Sequence, residues 1–349
     1  MTLRVVQWTT GITGSAAVRG MVGHPVLELV GCYAYSPEKV GKDVGELCGI
    51  APIGVIASDD VDALLALAPD CVSYMPYRPD FDHVVRILES GINIVTTMYR
   101  LAGRGYGDDV LERIEDATQR GGSSLYASGV YPGHAPMVAL AASAMCARID
   151  RISVLESLDI RGYESEKMCR SMGFDREVDD PEALRALEEA CGSFKDQIHV
   201  MGHALGIELN EIRFEPQLAT ADDTLDLGFM TIGKGRIAGF KGVISGVVGD
   251  RPVIQCQFVW KLGEEMTPRW PVEDGYVIEI DGDPRVRCRL EPMDPGPPKI
   301  GAHFDAGTTT AMPVVNAIPE VCAAPPGILN RMQLPFVKGT HRVAPAGRS

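Results

Sequence analysis

The sequence predicts an α/β chain: a doubly wound parallel sheet of the Rossmann type, followed by an α+β domain with a largely antiparallel sheet. Three observations carry this. The chain opens on an apolar run, Val5-Val6-Gln7-Trp8, that breaks into the glycine turn Thr9-Thr10-Gly11-Ile12-Thr13-Gly14 and then into small helix-forming residues, Ser15-Ala16-Ala17-Val18. Strand-like and helix-like segments then alternate for about 130 residues, the pattern of a parallel sheet wrapped by helices. Beyond about residue 150, long strands joined by tight turns replace that alternation.

Ligands of doubly wound sheets sit outside the carboxyl ends of the strands, so the informative residues are those just after each strand. At the opening turn, Gly11 lets the backbone approach phosphate oxygens and Gly14 lets the helix pack on the strand. The N–H groups at that helix's start attract an anion. Thr10, Gly11, Ile12, Thr13, Gly14 and Ser15 are the expected diphosphate cradle, although Thr9 stands where the full G-x-G-x-x-G pattern has its first glycine. The second strand, residues 27–35, ends at Ser36-Pro37-Glu38-Lys39 with no acid at its tip. An acid there would bind ribose hydroxyls, whereas a 2′-phosphate needs donors and cations. Ser36 and Lys39 therefore tilt the expectation to NADP(H), with NAD(H) as the alternative.

The alternation continues in order. Ser58 is expected to cap a helix bearing Val61, Leu64 and Leu65, which Pro69 ends. Residues 70–75 form a strand leading to Met75 and Pro76, and Asp80 opens a helix with Phe81, Val84, Val85 and Leu88 at helical spacing. Residues 92–97 are the next strand, ending at Thr97; Leu111 and Ile114 mark a helix, and residues 124–126 a strand before the turn 128–134. Residues 152–160 then alternate like a strand with one wet face. Asp180-Pro181 opens a helix through Cys191, and a second helix over 194–205 closes at Gly206. Hairpins are expected over 237–248 and 253–262 around Gly249-Asp250, and over 276–280 and 285–290 around Asp281-Gly282. After the Pro-rich stretch 292–298, residues 308–321 read as a helix with Thr309 as cap and Pro313 early, returning to the first domain with Asn316 near the cofactor. The resulting division is 1–136 for the dinucleotide-binding domain, completed by 306–337, with 137–305 for the substrate and dimerisation domain. Residues 338–349 lack periodicity and are expected to be a mobile tail.

Composition limits the partners. With 33 Lys+Arg against 47 Asp+Glu, the formal charge is −14, so nucleic acid and anionic membranes are excluded as general partners. The start carries no secretion-type apolar core and no later stretch reaches about 18 uninterrupted apolar residues, which predicts a soluble, cytoplasmic protein. Nine cysteines lie scattered without a C-x-x-C pair, as reduced structural residues would. The apolar strand Val253-Ile254-Gln255-Cys256-Gln257-Phe258-Val259-Trp260 suggests a sheet surface buried between two copies, hence a homodimer.

Four segments together resemble a known family: residues 7–14, Val40-Gly41-Lys42-Asp43-Val44-Gly45-Glu46-Leu47, Gly129-Val130-Tyr131-Pro132-Gly133 and Asn316-Ala317-Ile318-Pro319. They are similar to the dihydrodipicolinate-reductase-like proteins, and within them to the group of 2,4-diaminopentanoate dehydrogenases and native amine dehydrogenases. The resemblance implies a Rossmann domain built from both chain ends, a middle domain that covers the active site and pairs subunits, and hydride transfer between a nicotinamide and a C=N or C=O carbon. Two departures follow. The reductase of lysine synthesis carries a paired-histidine, lysine and S-G-T motif that is not found here, and His199-Val200-Met201-Gly202-His203 does not replace it. Amine dehydrogenases of the group place a glutamate after the strand ending at Thr97, where this chain has Met98-Tyr99-Arg100-Leu101. Reduction of a ketone or preformed imine is then as credible as reductive amination.

Hydride transfer needs a donor that protonates or polarises the heteroatom as charge develops. Tyr131, His134 and Tyr99 follow strands aimed at the cofactor and are the candidates. Glu156 and Asp159, on the first middle-domain strand, are alternative carboxylates. His199 and His203 share a helical face but lack a third ligand, so no metal is expected. Three classes fit the sequence: an NAD(P)H-dependent oxidoreductase acting on a small, mainly apolar substrate, an acyl-transferring aldehyde dehydrogenase with a thiol nucleophile, and a cofactor-binding sensor without turnover.

Overall fold

The computed structural model describes residues 2–98, 105–293 and 305–343. Its first elements are β1 (Leu3–Trp8), α1 (Ile12–Met21), β2 (Leu27–Tyr33), α2 (Val44–Leu47), β3 (Ala57–Ser58), α3 (Val61–Ala66), β4 (Cys71–Tyr74), α4 (Phe81–Glu89), β5 (Asn93–Thr96), α5 (Asp108–Gly121) and β6 (Ser124–Ala127). All residues of β4 and β6 are buried, so these strands read as continuous runs, as strands covered on both faces do. Aspartates start the helices between them: Asp60 accepts the Ala63 N–H, and Asp80 accepts those of Asp82 and His83. The expected Ser58 cap is displaced to Asp60, because the chain pairs as β3 through Ser58 and the Ser58 hydroxyl instead accepts the Asp60 N–H at 3.0 Å.

The middle of the chain forms α6 (Ala135–Ser143), β7 (Arg148–Asp159), α7 (Glu166–Met172), α8 (Pro181–Ala190), α9 (Gly192–Ala204), β8 (Glu211–Ala221), β9 (Leu225–Asp226), β10 (Thr231–Ile232), β11 (Ile237–Val248), β12 (Arg251–Lys261), β13 (Met266–Thr267), β14 (Gly275–Asp283) and β15 (Val286–Leu290). Seven of these strands make one sheet in the order β13-β8-β11-β12-β7-β14-β15, antiparallel except for the pair β12–β7. β7 therefore lies inside the sheet, and Ser153, Ser157 and Asp159 on its second face are buried along with Ile152, Val154, Glu156 and Leu158. The expected wet face is absent. The last hairpin turns after Asp283 rather than at Asp281-Gly282, since Asp281 and Gly282 continue β14 against Arg151 and Ile149 of β7. β8 and β3 were not anticipated from periodicity.

Three elements close the chain: α10 (Ala306–Val315), α11 (Ile318–Cys322) and β16 (Gly327–Leu329). The single helix expected over 308–321 is broken in two. Pro313 lies within α10 rather than at its start, where it removes a donor to the preceding turn, and α10 ends two residues later at Val315. β16 adds to β6, completing an all-parallel sheet in the order β16-β6-β5-β4-β1-β2-β3, whose winding reverses between β1 and β4. One face is packed by α1, α10 and α11 through Ala17, Met21, Val314 and Ile318, the other by α4 and α5 through Val84, Ile87 and Ile114. Within the expected mobile tail, Arg342 donates to the Asn316 side chain at 3.0 Å and to the Gly20 carbonyl. The chain divides into a terminal unit, Met1–Gly133 with Gly307–Ser349, and a middle unit, His134–Ala306. No helix among the described residues is long and apolar enough to cross a membrane.

Candidate active site

The reversal between β1 and β4 is where a doubly wound sheet opens a crevice for a ligand. Here the two strand tips are fastened together: the Met75 N–H donates to the Trp8 carbonyl at 3.2 Å, and the Thr9 hydroxyl donates to the Met75 carbonyl at 3.1 Å. The chain then bends through Thr9, which adopts φ +74° although it is not glycine. Helix α1 starts at once, close on that bend. A Cβ on Gly14 would stand 2.2 Å from the Thr9 carbonyl oxygen, so only glycine fits there.

The start of α1, like those of α5, α6, α9 and α11, has no side-chain cap, whereas α3, α4, α7 and α8 are each capped by an aspartate or serine side chain. Gly11 offers no side-chain cap and the first turn holds no acid, which leaves the helix N–H groups for an external anion. No atom lies within 4 Å of where a Gly11 Cβ would be, so the approach is open. A cation stands beside it, with Lys39 Nζ 3.0 Å from the Thr10 carbonyl and 3.2 Å from the Thr10 hydroxyl. Ser15 also donates to the Thr10 carbonyl at 3.3 Å. Ser36 begins the turn that delivers Lys39, its carbonyl accepting the Lys39 N–H at 2.9 Å. These residues fit the diphosphate of a dinucleotide.

Thr10 to Ser15, Lys39 and Met75 are thus brought together, with Ser36 and Pro76 on the adjoining loops. Thr97 follows β5, and Met98 beyond it turns into the core beside Leu111 and Ile114, its N–H on the Thr96 hydroxyl at 3.1 Å. Tyr99 lies outside the described residues. Tyr131 is buried in the irregular turn Val130–His134 that follows β6, and His134 begins the middle unit. Asn316 is not brought to the turn: its side chain is engaged by Arg342, which also reaches Gly20 near the far end of α1. Periodicity missed Gln7 and Ser73, two fully buried polar side chains opposite each other on β1 and β4. A polar residue within an apolar strand was the available signal.

Within the middle unit, Glu156 and Asp159 behave differently. Asp159 is paired with Arg161 at 2.6 Å and is neutralised. Glu156 receives the Trp260 indole N–H at 2.7 Å, lies opposite Tyr276 of β14, and has no cationic partner among the described residues. Burial pushes its pKa up to about 7 against the pull of these neighbours. Burial pushes the Cys32 thiol up to about 12 and Cys169 to about 11, and raises Cys48, Cys71 and Cys191 as well, which disfavours the thiolate at these five positions. Among the described residues no three His, Cys, Asp or Glu side chains converge as metal ligands.

Residues 137–344 match the family described as the 2,4-diaminopentanoate dehydrogenase C-terminal domain. Over 96% of this chain and 96% of the relative, the sequence is 30% identical to an amine dehydrogenase of Streptomyces virginiae. It is 23% identical to a 4-hydroxy-tetrahydrodipicolinate reductase of Neisseria meningitidis, over 74% of this chain and 84% of that protein. The fold is shared with the structure of an amine dehydrogenase from Mycobacterium smegmatis, with a TM-score of 0.79 at 21% identity, covering 98% of this chain and 99% of that one. The chain accordingly belongs to the 2,4-diaminopentanoate dehydrogenase and amine dehydrogenase family, and is an NAD(P)-dependent oxidoreductase acting on a small molecule.

Proposed function

We propose that the protein reduces a C=O or preformed C=N carbon of a small, mainly apolar substrate with NADPH. The single observation that carries the cofactor reading is the uncapped, acid-free start of α1 with Lys39 and Thr10 beside it. Backbone N–H groups of the Gly11–Ser15 turn hold the diphosphate. Lys39, Thr10 and Ser36 supply the charge and hydroxyls that a 2′-phosphate requires. The nicotinamide supplies the hydride. Tyr131 donates the proton to the heteroatom, with His134 as the alternative donor, and Met75, Pro76 and Thr97 line the strand ends.

Fluorescence titration with NADPH and NADH tests the cofactor assignment. NADPH should bind more tightly, and Lys39→Ala should weaken NADPH about tenfold more than NADH, the worth of one charge-assisted contact. Tighter binding of NADH would overturn the preference.

A second reading, reductive amination with ammonia, is favoured by Glu156. Forming an imine from ammonium needs a carboxylate that attracts the cation and takes its proton, and Glu156, buried and with no cationic partner among the described residues, is the carboxyl to test. NADPH oxidation is followed with ketones and aldehydes, with and without ammonium, in wild type, Tyr131→Phe and Glu156→Gln. Under the first reading ammonium is not required and Tyr131→Phe lowers kcat by roughly 10²-fold. Strict dependence on ammonium, lost in Glu156→Gln, would establish the second.

A further inference from the structure

β1 carries one side chain that its place in the sheet does not explain. Gln7 is fully buried between Val6 and Trp8, in an interior strand, where an apolar residue would pack without polar cost. Its amide nitrogen donates to the Thr9 carbonyl at 2.9 Å and to the Trp8 carbonyl at 3.3 Å. Its amide oxygen is buried with no hydrogen-bond partner among the described residues, and so is the Ser73 hydroxyl on the neighbouring strand. A buried acceptor left unpaired costs stability, as does a β-branched residue at positive φ. Both costs fall at one bend.

The bond to Thr9 links them. Thr9 is fastened sideways by its N–H to the Tyr33 carbonyl at 2.9 Å and by its hydroxyl to Met75. Its carbonyl is fixed from beneath by Gln7. A Cβ on Gly14 would meet the Thr9 carbonyl oxygen at 2.2 Å and Gln7 Nε2 at 3.0 Å, so the amide, the carbonyl and the first turn of α1 occupy one tightly shared space. Where the usual pattern has a flexible glycine at the bend, this chain has a threonine clamped in the left-handed region. We propose that Gln7 is a positioning residue for the dinucleotide: its amide locks the Thr9 carbonyl so that the turn Thr10–Ser15 is formed before the diphosphate arrives. This rests on the cofactor assignment above. Because the diphosphate is common to both dinucleotides, the lock serves NADPH and NADH alike, unlike Lys39.

The test is Gln7→Leu, which keeps the burial and removes the donor, alone and combined with Thr9→Gly, which removes the penalty at positive φ. In titrations, Gln7→Leu should raise the Kd of NADPH and of NADH by the same factor, about tenfold, while kcat at saturating cofactor stays within about twofold. In thermal unfolding without cofactor, the loss of Tm on Gln7→Leu should be smaller in the Thr9→Gly background than in wild type, because the amide no longer restrains a strained residue. Unchanged dinucleotide affinity, or an additive cycle, would overturn the proposal and leave Gln7 as a purely structural amide. Failure of wild type to bind either dinucleotide would overturn the cofactor assignment instead, with the unfolding cycle still judging the clamp.

Discussion

Glu156 is a carboxyl whose ionisation burial shifts upward. Strand pairing sets it opposite Phe258 on β12 and Tyr276 on β14, an apolar setting with the neutral Trp260 indole as donor, and its pKa moves from 4.5 to about 7. Between those values the folded protein keeps a proton that the unfolded chain has lost. Stability from this group is therefore present at low pH and falls as pH rises through the window, by on the order of 3 kcal/mol in all. Glu156→Gln keeps an acceptor for Trp260 and has no charge to bury. Thermal unfolding from about pH 5 to about pH 8 should show a decline in wild type that the variant lacks; equal slopes would place the carboxyl at an ordinary pKa.

At the scale of elements, the turn between β1 and α1 depends on how closely helix and strand meet. Gly14→Ala would drive a methyl group into the Thr9 carbonyl, a backbone atom that cannot rotate away. The variant should lose about 1–3 kcal/mol of stability and its dinucleotide affinity together. Retained affinity for NADPH would show that the turn can open without harm. Local residue chemistry made this turn legible, since glycines and small residues are read directly from the chain. The same reasoning placed the starts of α4 and α8 at Asp80 and Asp180, because a cap acts over two or three residues. It misplaced the cap of α3 and the break between α10 and α11, where pairing of β3 and the position of Pro313 within the helix decided the outcome.

For the whole molecule, the expected homodimer loses its original argument. Along β12, Val253, Ile254, Cys256, Phe258, Val259 and Trp260 are all buried within the single chain, so that strand bares no apolar band. A homodimer remains the proposal, and sedimentation equilibrium over a wide concentration range checks it, a constant monomer mass excluding it. By itself, the sequence determined the alternation of strands and helices, the glycine turn after the first strand and the change to hairpins after about residue 150, because these rest on short-range periodicity and turn chemistry. Only the tertiary structure decided that β16 joins β6, that β7 is covered on both faces, and that Asn316 belongs with Arg342 and not with the turn. It alone made Glu156 a carboxyl poised near neutrality and Gln7 a clamp on Thr9. The setting of Glu156 comes from pairing with Trp260 across 104 residues, and the burial of Gln7 from the neighbouring strand that carries Ser73, although its bond to Thr9 spans only two residues; no local pattern encodes which distant elements will close over a polar group.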